Sequence, residues 1–248
     1  MTIATDPKKL WEDSFDEQIA RGAYNAAPVE ALVRNVAYYL RARHDKGSMH
    51  KLQALELGCG AGPNLVWLAQ KGLRVNGIDI ASNALRLARE NLENAGYADL
   101  VGDLIEGSVD KTPFADASFD VVIESCVFQH IERPVRMAAF AEVRRVLKQG
   151  GLFVGNMLST GHTTFQQKQA EQLKDDPGSL YLADGVSKIY LTNIGLSHFF
   201  SREEFGDLLT GFSTVDPLIS TYYLPQEEAK RRGYDEYLQS MWTVYAIK

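Results

Sequence analysis

The sequence predicts an α/β fold, a mostly parallel sheet doubly wound with helices, and three observations carry that reading. Ala54 to Asn64 reads ALELGCGAGPN, an apolar run that stops at Gly58 and continues as glycines at alternate positions before Leu65 opens a helical pattern. A second apolar run, Leu73 to Ile80, follows a helix-length segment, and strand and helix patterns alternate from there to Met157. At 248 residues, 45% hydrophobic and 23% charged, the chain has the composition of one globular domain with a sizeable core.

The elements follow in order. Leu10, Trp11, Phe15 and Ile19 recur at helical spacing between acidic residues, which predicts an amphipathic helix over 7–22. Pro28 opens a second helix through Leu32, Val33, Val36 and Leu40 that frays over 41–47. After the glycine turn, Leu65, Leu68 and Ala69 form an inward face that ends at Gly72. Ser82 is placed to cap the next helix, with Leu85, Ala88 and Leu92 on one face and Gly96 as its stop. A short strand near 103–106 leads to Gly107, Ser108 and Val109, and Phe119 to Ile123 is a fourth strand. Pro134, Phe140, Val143 and Leu147 define a helix that Gly150-Gly151 ends, and Leu152 to Met157 is the fifth strand.

Beyond Leu158 the periodicity weakens until Ser201, where Ser201 and Glu204 read as a capping box of a helix closed by Gly211. Two more strands, 212–219 and 241–247, flank a charged helical stretch around Gln226 to Arg232. A long weakly patterned segment inside such a domain reads as a lid or substrate wall, with His162, Tyr181, Tyr190 and His198 as lining candidates.

The turn Gly58-x-Gly60-x-Gly62 admits positive φ and lets a ligand lie against bare backbone, with free amides facing it. It is not the dinucleotide fingerprint G-x-G-x-x-G, because Pro63 stands where the third glycine belongs. Asp79 follows about twenty residues after the first glycine, where a carboxylate reaches a ribose diol. ELGCGAG, GIDIA and the block PFADASFDVVIESCVFQHI (113–131) closely resemble the class I S-adenosylmethionine-dependent methyltransferases of small molecules. The resemblance covers Leu52 to Gly155 with specific motifs and the two ends only generically.

It implies a Rossmann-like seven-stranded sheet, mostly parallel with an antiparallel last strand, plus N-terminal helices and a lid insertion. A single domain over 1–248 is expected: a helical cap (1–50), a cofactor-binding core (51–157), a lid (158–200) and a C-terminal helix with the last two strands (201–248). The cofactor implied is S-adenosyl-L-methionine, held by Glu56, Gly58, Cys59, Gly60, Asn64, Asp79, Ile80, Ser108, Val109 and Glu124. The resembling family usually has an aspartate at the position of Ser108, on the adenine amino group. Tyr24 is the implied substrate contact, Trp11 either joins it or packs its helix onto the domain, and His162 of the weakly patterned stretch is the second substrate-binding candidate. Glu124 has the rival reading of a salt-bridged edge residue.

His130 is the candidate base, since an imidazole titrates near neutrality and accepts a proton from a hydroxyl. The rival reading is a histidine that bonds a neighbouring backbone group. Direct methyl transfer to a small-molecule nucleophile is thus expected, with a slight preference for a hydroxyl oxygen over an amine. The alternatives are a nicotinamide oxidoreductase, a sensor that binds the cofactor without transfer, and a nucleic-acid methyltransferase. A net charge of −6 argues against the last. Two cysteines, Cys59 and Cys126, give neither a zinc pattern nor a disulfide framework. No apolar run approaches the roughly 20 residues of a membrane span, and the MTIATDPKK start lacks the core of a signal peptide, so a cytoplasmic protein is expected.

Overall fold

The computed structural model describes residues 6–182 and 195–248. Two helices come first. α1 (Pro7–Ala20) is capped by the Asp6 carboxylate, which accepts from the Lys8 amide, and it buries no residue fully. α2 (Glu30–Arg43) buries Leu32, Val36, Tyr39 and Leu40. The alternation that follows is β1 (Gln53–Leu57), α3 (Pro63–Gln70), β2 (Arg74–Asp79), α4 (Ser82–Asn94), β3 (Val101–Glu106), β4 (Phe119–Ser125), α5 (Arg133–Val146) and β5 (Leu147–Leu158). Then come α6 (Thr163–Lys168), β6 (Ser179–Leu182), β7 (Gly195–His198), α7 (Glu204–Leu208), β8 (Thr214–Tyr223), α8 (Gln226–Arg231) and β9 (Leu238–Ile247).

Seven strands form one sheet in the order β3-β2-β1-β4-β5-β9-β8, and β6 and β7 pair as a separate antiparallel ribbon. β1 to β5 pair in parallel, while β9 runs antiparallel to both β5 and β8. One strand against six others, set between the fifth strand and the edge, is the arrangement the resemblance implied.

The central strands are apolar on both faces because both faces are covered. With side chains alternating along a strand, Leu55, Leu57, Val122 and Phe153 meet Phe140 and Val143 of α5, Phe205 of α7 and Trp242. Ala54, Val75, Val121 and Val154 meet α2, Leu65 and Leu68 of α3, and Leu85 and Leu92 of α4. Each such fully buried leucine or valine contributes roughly 1.5–3 kcal/mol. All parallel strands therefore end along one rim, where the glycine turn, Asp79 and Ser125 emerge.

Four local expectations change. Ala81, not Ser82, is the N-cap of α4, and the Ser82 hydroxyl donates instead to Glu12 Oε1 of α1 at 2.8 Å. Gly150-Gly151 lies within β5 rather than before it, at a register shift against β4 where Gly150 takes φ 76°, the mark of a bulge. The helix after Ser201 is only five residues long and its N-cap is Glu203, so the box is half made: the Ser201 amide donates to Glu204 Oε2 at 2.6 Å. β8 extends to Tyr223 because its whole length pairs with β9.

Candidate active site

Gly58, Gly60 and Gly62 take φ of 70°, 51° and 75°, the left-handed region that side chains disfavour. A Cβ on Gly58 would lie 2.3 Å from Val127 Cγ2, one on Gly62 3.0 Å from Ala88 Cβ, and one on Gly60 3.1 Å from the Phe15 ring. The turn is thus packed between the β4 loop, α4 and α1. Four of its amides depart from the expectation of free donors: they are used inside the protein. The Gly58 and Cys59 amides donate to Ile78 O, Gly60 donates to Asp79 Oδ2 at 2.8 Å, and Gly62 donates to Cys59 O. What these four residues offer a ligand is bare Cα surface, because their own donors are taken.

Asp79 braces the turn. Its Oδ1 accepts from the Ala81 amide at 2.9 Å, so each oxygen holds one amide and keeps lone pairs for a further donor. Burial raises its pKa, with the amides of Ala81 and Gly60 opposing. Half-buried Ile80 follows directly. Below the turn, Asn64 accepts from the Val29 amide and donates to Glu56 Oε1 at 2.7 Å, tying α2 to β1 through the first turn of α3. Glu56 Oε2 is buried and has no donor among the described residues, and burial, opposed by Asn64, pushes its carboxyl up to about 8. A Cβ on Gly77 would lie 2.7 Å from Cys59 Sγ, so the Cys59 thiol points into the core and only its backbone lies in the turn. Val109 is core as well, whereas Ser108 is exposed and its hydroxyl donates to Asp110 Oδ1.

Glu124 lies on the α5 face of the sheet, its Oε1 over Gly155. Its Oε2 accepts from the Val127 and Phe128 amides at 3.1 and 3.3 Å, so it holds the turn that carries His130. Burial, opposed by those amides, pushes it up to about 7. Beside it Cys126 takes φ 60°, a strained conformation for a non-glycine residue and one that gathers at working sites.

His130 is half-buried against Trp11, ring centroids 5.7 Å apart. Its Nδ1 lies 3.2 Å from Leu196 O and its Nε2 3.0 Å from Gln129 Nε2. Gln129 Oε1 accepts from the Leu158 amide at 2.8 Å, which leaves the Gln129 NH₂ to donate. The imidazole therefore carries its proton on Nδ1 and its lone pair on Nε2. Burial, opposed by the Leu196 carbonyl, pushes its pKa down to about 4. Both readings of His130 meet here, a backbone bond on one nitrogen and a lone pair on the other.

The remaining candidates scatter. Tyr24 is half-buried between α1 and α2. His162 is 4% exposed, caps α6 through its Nδ1, and packs its ring on Phe199 and Tyr237. His198 is wholly buried between Ser179 and Glu204, Tyr181 is exposed, and Tyr190 lies outside the described residues. α1 joins the parts that do gather, with Phe15 on Gly60, Trp11 on His130 and Glu12 on Ser82. Gln129, Phe15 and Glu12 escaped sequence reasoning, although Gln129 stood beside the histidine it orients.

The site fits a cationic adenosyl ligand on its own geometry. Glu56 Oε2 is a buried acceptor lacking a donor, Asp79 has acceptor capacity left for a diol, and a Cβ would crowd the turn. Among the described residues no group of three or more His, Cys, Asp or Glu could hold a metal ion.

Known proteins agree with this geometry. A family profile described as a methyltransferase domain matches residues 55–155. The sterol 24-C-methyltransferase ERG6B of Gibberella zeae is 27% identical over 99% of this chain and 62% of its own length. The malonyl-[acyl-carrier protein] O-methyltransferase of Serratia marcescens is 34% identical over 65% of this chain and 58% of its own. The chain thus spans less than two thirds of each of these relatives. In fold it is similar to an S-adenosylmethionine-dependent methyltransferase of Methanosarcina mazei, with TM-score 0.60 at 23% identity over 79% of this chain and 92% of that one. It is also similar to the 1,6-didemethyltoxoflavin-N1-methyltransferase of Burkholderia thailandensis, with TM-score 0.61 at 15% identity over 100% and 92%. Residues 55–155 are thus a methyltransferase domain, and the sheet order and the Asp79-braced turn are similar to those of the class I S-adenosylmethionine-dependent methyltransferases.

Proposed function

We propose that the chain transfers a methyl group from S-adenosylmethionine to a nucleophile of a small molecule, with a hydroxyl oxygen as the preferred acceptor. The observation that carries this reading is the bare glycine turn braced by Asp79, set against the Val127–His130 turn through the Gly58–Val127 contact. The cofactor supplies a methyl group already activated on a sulfonium, so the protein needs no covalent intermediate. Asp79 would accept from the ribose hydroxyls, Glu56 Oε2 from the ammonium, and Ser108 and the Val109 backbone would meet the base. Alignment of nucleophile and methyl carbon at about 3 Å lowers the barrier by several kcal/mol.

For a hydroxyl acceptor, His130 Nε2 takes the proton, with the acceptor's O–H replacing the Gln129 NH₂ on that lone pair. Burial keeps the imidazole neutral and ready to accept above a pH of about 4. The cost is basicity, so a large share of the work falls to alignment. A second reading is favoured by the same contacts: with both nitrogens engaged, His130 is a tether and the acceptor is an amine that needs no base. Relatives named for a sterol, a malonyl group and a toxoflavin precursor support a small-molecule acceptor and leave its nucleophile open. The unpaired Cys59 and Cys126 suit a reducing cytoplasm.

Methyl transfer from labelled S-adenosylmethionine to a panel of phenols, carboxylic acids and amines tests the proposal. Transfer to a phenol whose kcat falls at least tenfold in His130→Ala, with no acid limb near pH 6.5 in the wild type, is the expected result. Full turnover in that variant ends the base assignment. Binding of S-adenosylhomocysteine without transfer to any of the panel, or to a cell extract, favours a sensor.

A further inference from the structure

The seven-stranded sheet has two edges, β3 and β8, and they are built differently. β3 is six residues long and carries Asp103 and Glu106, charges that discourage a further strand from adding to it. β8 runs for ten residues, and no strand lies against its outer side among the described residues. From Pro217 to Leu224 it carries no charge, and Leu218, Ile219, Tyr222 and Tyr223 are 41%, 54%, 51% and 66% exposed. A long, apolar edge without charges is a template for pairing.

Its backbone fixes what can pair with it. In an antiparallel ladder alternate residues turn their N–H and C=O toward the partner strand, and the others turn away. The Leu224 amide donates to Tyr237 O, so Leu224, Tyr222, Ser220 and Leu218 face β9, while Tyr223, Thr221, Ile219 and Pro217 face outward. Arg202 Nη1 marks that outer side by donating to Pro217 O at 3.0 Å. Pro217 has no amide to give and its carbonyl is taken, which leaves Ile219, Thr221 and Tyr223 as the open edge.

A second copy of β8 answers all three. Laid antiparallel with Thr221 opposite Thr221, it sets Ile219 of each copy against Tyr223 of the other, and every pair exchanges two backbone bonds. The two side chains so matched are the most exposed apolar ones of the strand, a β-branched residue against an aromatic one. Prolines exclude the neighbouring registers: a slip of two residues sets Tyr223 against Pro217 one way, or Ile219 against Pro225 the other, and bonds are lost. Charge agrees with the same register. Arg202, seated on Pro217, comes opposite Pro225 and the acidic first turn of α8, where Glu227 is exposed. With the exposed parts of Tyr222 and Tyr223 at about 100 Å² each, together with Ile219, Leu218 and the backbone, two copies bring together on the order of 1,000 Å², the size a specific contact needs.

We infer that β8 is a homodimer interface, in which two copies join their sheets edge to edge across a two-fold axis at Thr221. The contact is isologous, so it closes at two copies and covers the open edge of each. It uses no residue of the cofactor site and stands apart from the methyl-transfer reading.

Gel filtration with light scattering tests it on the full chain as wild type, Thr221→Lys and Thr221→Glu, from about 1 to about 100 μM, the range that reads micromolar affinity. The wild type is expected at twice the chain mass at the top of that range. Thr221 is exposed, so each variant keeps its Tm within a few degrees. Each also sets like charges opposite one another at the axis, and the dimer dissociates at least about tenfold more readily. An equimolar mixture of the two variants sets lysine against glutamate and restores the dimer, which a folding defect cannot do. A wild type that stays monomeric throughout, a dimer indifferent to both variants, or a mixture that stays monomeric overturns the inference. Species larger than two overturn it as well, because a two-fold pairing closes.

Discussion

The cofactor half, from Gln53 to Leu158, and the stretch from Ser159 onward bury polar groups by opposite means. In the first, the three buried carboxylates of the site are answered by local amides or amide side chains: Asp79 by Gly60 and Ala81, Glu124 by Val127 and Phe128, Glu56 by Asn64. Two of these carboxylates, Glu56 and Glu124, keep an oxygen without a donor among the described residues. In the second, charges answer charges, with Arg136 reaching across from α5 of the first half, and leave little over. Arg136 Nη2 reaches Asp176 Oδ1 at 2.6 Å, Ser179 Oγ donates to Asp176 Oδ2 at 2.5 Å, and His198 lies 2.8 Å from Ser179 and 3.0 Å from Glu204. A saturated network fixes a weakly patterned segment in place, whereas an unsaturated one holds capacity for a ligand. The halves meet at His130, which α1 covers and the β7 carbonyl of Leu196 holds.

The strongest way to break this contrast is Arg136→Met. It leaves Asp176 ionised and buried, and removing one partner of such a pair costs about 3–5 kcal/mol. Burial works against ionisation of Asp176, yet Arg136 and Ser179 hold its carboxyl below the usual range, so without the arginine the penalty stands alone. At about 2–4 °C per kcal/mol for a chain of this size, Tm drops by roughly 10 °C. Affinity of the folded protein for S-adenosylhomocysteine stays within about threefold, within the spread of surface-level effects. A small Tm change, or a collapse of cofactor affinity, would show that the two regions are not separable in this way.

A smaller effect, on the other side of the comparison, comes from two glycines with the same backbone. Gly58 and Gly150 take φ of 70° and 76°, but a Cβ on Gly58 meets Val127 at 2.3 Å and one on Gly150 meets nothing within 4 Å. Gly150→Ala therefore costs about 1 kcal/mol of left-handed strain and leaves binding alone. Gly58→Ala adds overpacking, about 2–3 kcal/mol in total, and displaces the Val127 loop that carries His130, so S-adenosylhomocysteine affinity falls at least tenfold. Equal losses in the two variants would mean that the turn's packing has no part in binding.

The same division decides what was legible in the sequence. Strand, turn and helix of the cofactor half are local patterns, and the glycine spacing with Asp79 twenty-one positions beyond Gly58 is written in one stretch of chain. The direction of side chains within it was not legible. Cys59 is in the turn but points into the core, Glu124 is at a strand end but faces α5, and four of the turn's amides serve the protein, because tertiary packing chooses among equivalent local states. The contacts that fix the other half reach residues 40 positions away, as Asp176 does to Arg136 of α5, so no window of sequence contains them. His162 and His198 looked like wall residues for that reason. Both are buried, one in an aromatic cluster and one in the charge network.

The subtlest consequence is a difference in pH response. Glu56 and Glu124 have folded-state pKa values raised by burial to about 8 and about 7, so between their unfolded values and these the folded chain holds protons that the unfolded chain has released. Stability must then fall as pH rises through that range. Below about pH 6.5, the ordinary histidine value, His130 and His162 act the other way, because they stay neutral when folded and the unfolded chain loses its imidazole protons as pH rises. Above about pH 6.5 the histidine slope fades, and in the window up to about 8 the two glutamates dominate, together with Asp79, whose carboxyl burial also raises. Asp176 and Glu204 of the network have lowered values, are ionised in both states there, and add no slope. Tm is expected to decline by a few degrees across the window, and Glu56→Gln, which stays neutral, removes part of the decline. Saturation with S-adenosylhomocysteine should flatten the curve further, because an ammonium on Glu56 Oε2 favours the carboxylate, and binding at neutral pH should release protons, read as a dependence of the calorimetric heat on buffer ionisation enthalpy. If the ligand is bound and no protons are released, Glu56 does not face the ammonium, and the unsaturated oxygen of the cofactor half has some other purpose.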